Sequence, residues 1–443
     1  MKLFDGWKEV LNIHDVVVLL ANLVLGLLLG LLLRWLRSSR ERRQERRDNQ
    51  AVERAEEMRT RPGLYEYLDY RLSKHPAVSG QRPKLMKRAM AGQELTIPAC
   101  LIATGEKVRL NSSSPKYPED YVKLDLKWED SDYVKLSKRL GRTIEDLDVF
   151  TGQSIEVTSD GAVIYGGLST YGFALATQDA LEWELLTNAA SYFRGPYAES
   201  DFSKLDMLLT LRQKEEGAAS GNYLLSGEGR ANALAISTLV VFRHNEGDYR
   251  VLFEKRSPTT AAHTKLFHVI PAGMFQPELN SPSVEWDVEH GFFKEYGEEL
   301  FCREVDRRRH DAKYFYKDWG SSLAPLDANF CVRDLRRAVE EGKCILKPTG
   351  LIVNALNLRP ELCCILLVKD AAWWEEQERL IRANWEYLPR GEARSRRGKA
   401  LTDFHLNEIE KEFLDFFGCS PSEWVPPGLA ALWLGVDAAR KLL

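Results

Sequence analysis

The sequence predicts an α+β fold with one N-terminal transmembrane helix. Residues 16–33 form an uncharged apolar run, long enough to be a membrane-spanning helix. Segments at 96–103, 154–170 and 235–257 have the apolar or alternating character of strands. Residues 288–301 carry an apolar residue at every fourth position, which is typical of a helix packed on a core. We therefore expect an anchor followed by an α+β module and a second domain that contains strands and helices.

The overall composition excludes several classes of protein. The net charge of -4 is close to balance for 443 residues, so no specific nucleic-acid binding is expected. The cysteine count is odd, at 7, and no C-x-x-C spacing occurs. This pattern is typical of reduced thiols in a cytosolic compartment, and it predicts neither a zinc site nor a disulfide framework.

The apolar run is interpreted as an uncleaved anchor in a lipid bilayer. Asn22 is its only strongly polar residue, and Arg34 follows the run directly, where a signal peptide would carry a small-residue cleavage site. Arginines crowd the far side of the run: Arg34, Arg37, Arg40, Arg42, Arg43, Arg46 and Arg47. Because positive residues stay on the cytoplasmic side, we predict a single-pass protein with its C-terminal domains in the cytoplasm.

Gly26 and Gly30 form a G-x-x-x-G pair within the anchor. Such a pair lets two helices approach closely, so a homodimer through these glycines is one expectation. The same spacing arises by chance in a helix rich in Leu and Gly, which is the other interpretation.

Charge and composition divide the chain into four segments. We predict an anchor at 1–36, a charged stalk or linker at 37–92, an α+β module of unknown role at 93–228 and a domain at 229–443. Further elements are expected in these segments, namely a strand at 121–128, a helix at 178–192, a buried strand after Pro360 and an amphipathic helix at 428–443.

The predicted helix at 288–301 carries a cluster of acids. Glu295, Glu298 and Glu299 are three and four residues apart, so their side chains share one patch of the helix surface. The patch lies beside the apolar stripe of Val288, Phe292, Tyr296 and Leu300. Partly desolvated carboxylates repel one another, and a hard divalent cation such as Mg²⁺ or Mn²⁺ neutralises them. The alternative is a solvated acidic helix face.

This stretch resembles the Nudix box, which ends in R-E-U-x-E-E-x-G with U aliphatic. Residues 294–301, KEYGEELF, follow that core, with Lys294 in place of Arg, Tyr296 in place of the aliphatic residue and Phe301 in place of Gly. Pro271-Ala272-Gly273 stands where the family has a Pro-Gly-Gly turn, and residues 235–257 resemble the family's two strands and hairpin.

The upstream half of the motif departs from the pattern. The first Gly of the box falls on Asn280 and its first Glu on Trp286, while Glu285 is one step away. The resemblance implies a Nudix-like α/β/α sandwich with a mixed sheet, built from the segment 229–443.

The resemblance also implies a chemistry. The substrate would be a nucleoside diphosphate linked to another moiety, and the reaction would be hydrolysis of its pyrophosphate. Glu295, Glu298 and Glu299 would be the catalytic and metal-ligating residues. Lys294 would orient a glutamate, and it is assigned to substrate binding with two arginines, Arg256 and Arg359.

Alternatives remain for the arginines and for the whole protein. Arg359 faces a pocket or forms an ordinary surface pair with Glu361, and the basic loop at 390–399 contacts phosphates or is a solvated excursion. The protein is a hydrolase, a membrane-anchored nucleotide sensor with a degenerate site, or a tethered scaffold. The sensor is favoured because Asn280 and Trp286 occupy the positions of the first glycine and the first glutamate of the box. The enzyme is favoured because the three glutamates of the core are retained.

Overall fold

The computed structural model describes residues 13–113, 115, 127–142, 144, 147–159, 161–193, 202–219, 221–257, 263, 265–277, 285–301, 330–381 and 401–443. Most of the predicted strand at 121–128, Asn280 and the basic loop at 390–399 lie outside these residues. The contacts of the chain define two compact units, Met1–Glu53 and Arg54–Leu443. Helices and strands both contribute substantially, so the predicted α+β class is confirmed.

Helix α1 (Ile13–Met58) contains the predicted anchor and continues through the arginine-rich residues after it, so the first part of the predicted stalk is helical. It is the one helix among the described residues that is long and apolar enough to cross a membrane. Leucine side chains along it are exposed, including Leu25, Leu27 and Leu31. The next helix, α2 (Pro62–Lys74), begins with a proline at its first turn, where the missing N–H is not needed.

The larger sheet contains nine strands among the described residues, in the order β1-β2-β10-β11-β6-β7-β12, with β8 paired to β7 and β9 paired to β6. Its strands are β1 (Leu85–Met90), β2 (Gln93–Thr104), β6 (Ala235–Asn245), β7 (Asp248–Lys255), β8 (Phe267–Val269), β9 (Ala272–Met274), β10 (Cys344–Asn354), β11 (Pro360–Val368) and β12 (Leu401–His405). The pair β11 and β6 is parallel and the other pairs are antiparallel, so the sheet is mixed as predicted.

The sheet crosses the predicted segment boundaries. Strand β1 comes from the segment predicted as a stalk or linker, and β2 from the predicted separate module. Strand β2 pairs antiparallel with β10, through residues such as Cys100 and Val353. The sequence pattern did not anticipate this pairing, because hydrogen bonds between strands so far apart in the chain leave no local signal.

A smaller sheet lies in the order β3-β5-β4, formed by β3 (Val108–Leu110), β4 (Asp148–Thr158) and β5 (Gly161–Thr170). Strands β4 and β5 confirm the strand pair predicted at 154–170. Backbone hydrogen bonds connect the smaller sheet to the end of β9, since Phe150 N donates to Phe275 O at 2.8 Å and Phe275 N donates to Leu234 O at 3.0 Å. Phe275, the residue after β9, therefore forms backbone hydrogen bonds both to the smaller sheet and to the residue before β6 of the larger sheet.

Helices cover the sheets on both sides. They are α3 (Asp132–Arg139), α4 (Tyr171–Ala174), α5 (Ala180–Tyr192), α6 (Phe202–Leu208), α7 (Thr210–Ala218), α8 (Val288–Glu295), α9 (Phe330–Glu340), α10 (Ala371–Leu380), α11 (Ile409–Phe417) and α12 (Pro426–Leu442). Helices α5 and α12 confirm the two predicted at 178–192 and 428–443.

Strand β11 lies at the centre of the larger sheet and is buried along its whole length. Leu362, Cys364 and Leu366 contribute to one apolar cluster, while Cys363 and Ile365 contribute to another that includes α12. Side chains alternate between the faces of a strand, so a strand that is buried at every position needs cover on both faces. The continuous apolar run predicted this buried strand correctly.

Candidate functional site

Helix α8 begins at an N-cap. The Asp287 carboxylate accepts a hydrogen bond from His290 N at 3.0 Å, which satisfies one of the N–H groups left free at a helix start. The helix ends at Glu295 and passes into a π-helical turn, Tyr296–Leu300. Glu298 and Glu299 therefore lie on this wider turn. The sequence predicted a helix over 288–301, and the structure has a helix there, but the π-helical turn was not anticipated, since an inserted π turn has the same local residue pattern.

The apolar stripe of the predicted helix faces the core. Phe292, Tyr296 and Leu300 are fully buried, and Val288 packs against the same cluster from the edge. Burial of Tyr296 raises the pKa of its phenol well above the usual value, so this group stays protonated. The stripe fixes the rotation of the helix, and so places its glutamates toward the turn that precedes it.

Two of the three glutamates contact the turn Pro271-Ala272-Gly273. The Glu299 carboxylate accepts a hydrogen bond from Ala272 N at 2.6 Å. A Cβ atom added to Gly273 would lie 2.1 Å from Glu295 Oε2, so only glycine leaves room for that carboxylate. The glycine turn and the acid helix, recognised separately in the sequence, are thus in direct contact.

Lys294 lies among the glutamates. Its Nζ is 3.3 Å from Glu295 Oε1, 3.6 Å from Glu298 Oε2 and 3.3 Å from Gln276 Oε1. The side chain is only 2% exposed. A buried ammonium is costly unless it is paired, and these carboxylates provide the pairing. Lys294 therefore orients Glu295 and Glu298 and neutralises part of their charge.

Accessibility differs among the three carboxylates. Glu295 and Glu299 are buried, while the Glu298 side chain retains 14% of its exposure. Below, we call Lys294, Glu295, Glu298 and Glu299, together with the turn that they contact, the acid turn. Glu298 is the member that a molecule from solvent reaches most readily.

The donor chemistry of the acid turn suits a hard divalent cation, because carboxylate oxygens are the ligands that Mg²⁺ and Mn²⁺ prefer. The arrangement differs from a ready metal site. No three His, Cys, Asp or Glu side chains are gathered as metal ligands within the described part of the chain. Lys294 is within ion-pair distance of two of the carboxylates. A cation bound by Glu295 and Glu298 would therefore compete with this ammonium.

The structure brings the two predicted substrate-binding arginines into one electrostatic neighbourhood. Arg256 follows β7, and Arg359 precedes β11. Burial, together with the charges of the Arg256 and Arg359 guanidinium groups, lowers the pKa of His268 to about 3. Burial raises the pKa of Glu361, and the same two charges oppose that rise. Arg359 and Glu361 are both buried, so the interpretation of the two as an ordinary surface pair is wrong.

Trp286 occupies the position of the first box glutamate and has a packing role. Its indole Nε1 donates to Asn111 O at 3.1 Å, and its ring lies where a side chain at Gly166 would be. It thereby joins the start of α8 to the smaller sheet. Glu285, the neighbouring acid, is also buried. Sequence reasoning missed Gln276 and Asn111, although Gln276 follows the turn closely enough to be considered with it.

The chain was compared with known proteins. No family model matches it, and no curated protein matches it.

Proposed function

We propose that the chain is a membrane-anchored, Nudix-like protein that hydrolyses the pyrophosphate of a nucleoside diphosphate derivative with Mg²⁺ or Mn²⁺. The observation that carries this proposal is the contact between the acid helix and the glycine turn. Glu299 accepts from Ala272 N, and Glu295 lies against Gly273. A strand, a glycine turn and a glutamate-bearing helix thus meet at one place, as the resemblance requires.

The three glutamates would hold the cation, which supplies charge neutralisation for the phosphate oxygens and lowers the pKa of a bound water. The chain's own groups have separable roles. Glu298 is the most accessible carboxylate and is positioned to accept a proton. Lys294 holds Glu295 and Glu298 in place, and Arg256 and Arg359 are proposed to contact the substrate.

The membrane assignment belongs to the same proposal. Helix α1 is capable of spanning a bilayer, and its arginines follow the apolar run. The positive-inside tendency supports a single-pass topology with the C-terminal domains in the cytoplasm. The Gly26 and Gly30 pair supports a homodimer through the anchor, and among the described residues a Cβ placed on Gly30 would meet no atom within 4 Å outside its own stretch of helix.

A second candidate is a nucleotide sensor that binds without hydrolysis. Lys294 favours it, because its ammonium already neutralises two of the acids that a metal would need. In such a protein the acid turn would recognise a ligand or maintain the fold, with no reaction.

The experiment uses the full chain in detergent micelles. It is incubated with Mg²⁺ or Mn²⁺ and a panel of nucleoside diphosphate derivatives, and released monophosphate or phosphate is measured. We expect turnover with at least one compound, and a fall of about a hundredfold or more in Glu298→Gln and Glu299→Gln, since each removes an ionised carboxylate from the site. Glu289→Gln is the matched control, because Glu289 is exposed on the same helix.

The outcomes separate the candidates. Turnover that depends on Glu298 and Glu299, but not on Glu289, supports the hydrolase. Nucleotide binding without turnover supports the sensor. Absence of both binding and turnover across the panel would falsify the proposal and leave a tethered scaffold.

A further inference from the structure

The turn between β10 and β11 holds Arg359 in a fixed position. Asn354 N donates to Arg359 O at 2.9 Å, and Arg359 N donates to the Asn357 side-chain oxygen at 3.1 Å. The buried guanidinium of Arg212 donates to the carbonyl oxygens of Ala355 and Leu356 from outside the turn. Hydrogen bonds therefore determine the backbone that carries the Arg359 side chain.

Several polar atoms near this turn are buried without a hydrogen-bond partner in the described part of the structure. They are Arg359 Nε, Asp179 Oδ2, His263 Nε2 and Glu361 Oε2. Arg359 is 8% exposed, Asp179 3% and Glu361 2%. More than about 90% of buried polar groups in proteins have a partner, so a local concentration of unpartnered atoms needs an explanation. We call these four residues the Arg359 cluster.

Contacts and charges show that the cluster is one neighbourhood. Asn357, two residues before Arg359 in the turn, donates to Glu182 Oε2 at 3.4 Å, and His263 Nδ1 is 4.0 Å from Glu182 Oε1. Burial raises the pKa of Asp179 to about 6, and the charge of Arg359 opposes that rise. Burial also lowers the pKa of His263 well below its usual value, and Arg359 lowers it further.

The mixed chemistry of the cluster restricts what can occupy it. A phosphate would pair with Arg359 but face the carboxyls of Asp179 and Glu361, and a cation would face the guanidinium. An uncharged group with hydrogen-bond donors and acceptors satisfies both kinds of atom. A buried donor or acceptor left without a partner costs about 1–3 kcal/mol, so such a group would be bound favourably.

We propose that the Arg359 cluster binds the uncharged polar part of a nucleotide, either the edge of its base or the hydroxyls of its sugar. The inference rests on the proposed function and deepens it. The acid turn would act on the diphosphate, whereas the Arg359 cluster would select the nucleoside. Arg359 is thereby assigned to specificity and not to phosphate binding.

The test uses the full chain in detergent micelles without divalent cations. Adenosine, guanosine, cytidine, uridine, ribose and inorganic pyrophosphate are each titrated by calorimetry. We expect at least one nucleoside to bind. Binding of ribose and of all the nucleosides identifies the sugar as the group that the cluster binds. Binding of one nucleoside only identifies the base.

Substitutions test whether the nucleosides bind at the Arg359 cluster. Arg359→Met, Asp179→Asn and Glu361→Gln are each expected to weaken nucleoside binding about tenfold or more, as loss of one well-placed polar partner does. The last two keep the shape of the side chain, so the test remains available if Arg359→Met does not fold. Glu215→Gln is the control, because Glu215 Oε2 is also buried and unpartnered among the described residues, but its charged neighbours are Lys214 and Arg230.

Three results overturn the inference. These are no binding of any nucleoside or ribose, binding that the three variants leave unchanged, and an equal loss in Glu215→Gln. The unpartnered atoms would then hold internal water only. The proposed function fails separately, since nucleoside binding without hydrolysis of any nucleoside diphosphate derivative rejects the hydrolase and leaves the cluster assignment intact.

Discussion

Two regions of the molecule are held together by opposite kinds of interaction. One is the aromatic cluster, which we define as Trp424, Phe253 and Phe417 in the core that includes α12. The other is the acid turn. In the aromatic cluster, Trp424 is 1% exposed, and its ring centroid lies 5.3 Å from that of Phe253 and 5.3 Å from that of Phe417. Charges there lie at the rim, where Glu410 pairs with Arg440 at 2.7 Å. In the acid turn, charged groups are buried beside the backbone of a glycine turn.

The two regions therefore differ in their expected contribution: the aromatic cluster stabilises the fold, and the acid turn is proposed to carry the chemistry. Packed rings bury apolar area and stabilise the fold without requiring any particular protonation state. Buried carboxylates and an ammonium are expensive to desolvate, and they persist only where each has partners. We therefore expect changes in the aromatic cluster to affect stability alone, and changes in the acid turn to affect stability and activity together.

The largest expected effect tests the aromatic side of the comparison. Trp424→Ala removes a ring that packs against several others, and it should lower the free energy of unfolding by about 3–5 kcal/mol, as large-to-small changes in a core do. Denaturant unfolding measures it. Phe416→Ala is the control, because Phe416 is 56% exposed. A similar loss in both variants would contradict the assignment of Trp424 to the core.

Lys294→Met should have the next largest effect. Removing one partner of a buried ion pair costs about 3 kcal/mol or more, because the remaining charges are left uncompensated. If Lys294 neutralises Glu295 and Glu298, added Mg²⁺ should raise the melting temperature of this variant more than that of the wild type. Equal shifts in both proteins would show that the ammonium and the cation do not compete.

Gly273→Ala should destabilise less, by about 1–3 kcal/mol, because an overpacked site relaxes by moving side chains. The added Cβ displaces the Glu295 carboxylate, so turnover should fall together with stability. Gly217→Ala is the matched control: a Cβ there meets nothing within 4 Å, and Gly217 lies in α7. Alanine in a helix is favoured over glycine by up to about 1 kcal/mol, so this control should be neutral or stabilised. If the activity of Gly273→Ala is unchanged, Glu295 does not take part in the reaction.

The smallest expected effect is the pH dependence of the stability that the Glu410–Arg440 ion pair contributes at the rim of the aromatic cluster. Hydrogen bonds from Arg440 and, to a smaller extent, Arg88 lower the pKa of Glu410 from 4.5 to about 2. A lowered pKa means that the ion pair contributes its full stability above pH 4.5, and that the contribution is lost as the pH falls toward 2. Because both side chains of the pair remain partly exposed to solvent, which screens the charges, the contribution is at most about 1 kcal/mol. Unfolding of the wild type and Glu410→Gln should differ at pH 7 and converge at low pH, and a constant difference would reject the pairing.

Much of the fold was predictable from local patterns. The apolar run after Pro360 and the spacing at 428–443 predicted β11 and α12, because burial on both faces or along one stripe leaves a direct trace in the sequence. The pairing of β1 and β2 with β10 was not predictable in the same way. Lys87 and Arg88 give β1 the charge of a surface segment, and its place in the sheet depends on partners far along the chain.

The residues of the acid turn were recognised in the sequence as a cluster, but its geometry was not predictable. The spacing of Glu295, Glu298 and Glu299 identified the acids, but the π-helical turn and the burial of Lys294 depend on packing against the sheet. Glu361 gave no signal of burial, since a charged residue beside a proline is ordinarily at the surface.

The hydrogen-bonded turn before β11 has a kinetic consequence. A ligand group entering next to Arg359 finds the backbone already ordered by Asn354, Asn357 and Arg212, so association requires no rearrangement of this loop. The encounter should follow a single exponential, with a rate proportional to ligand concentration and little sensitivity to solvent viscosity beyond that of diffusion itself.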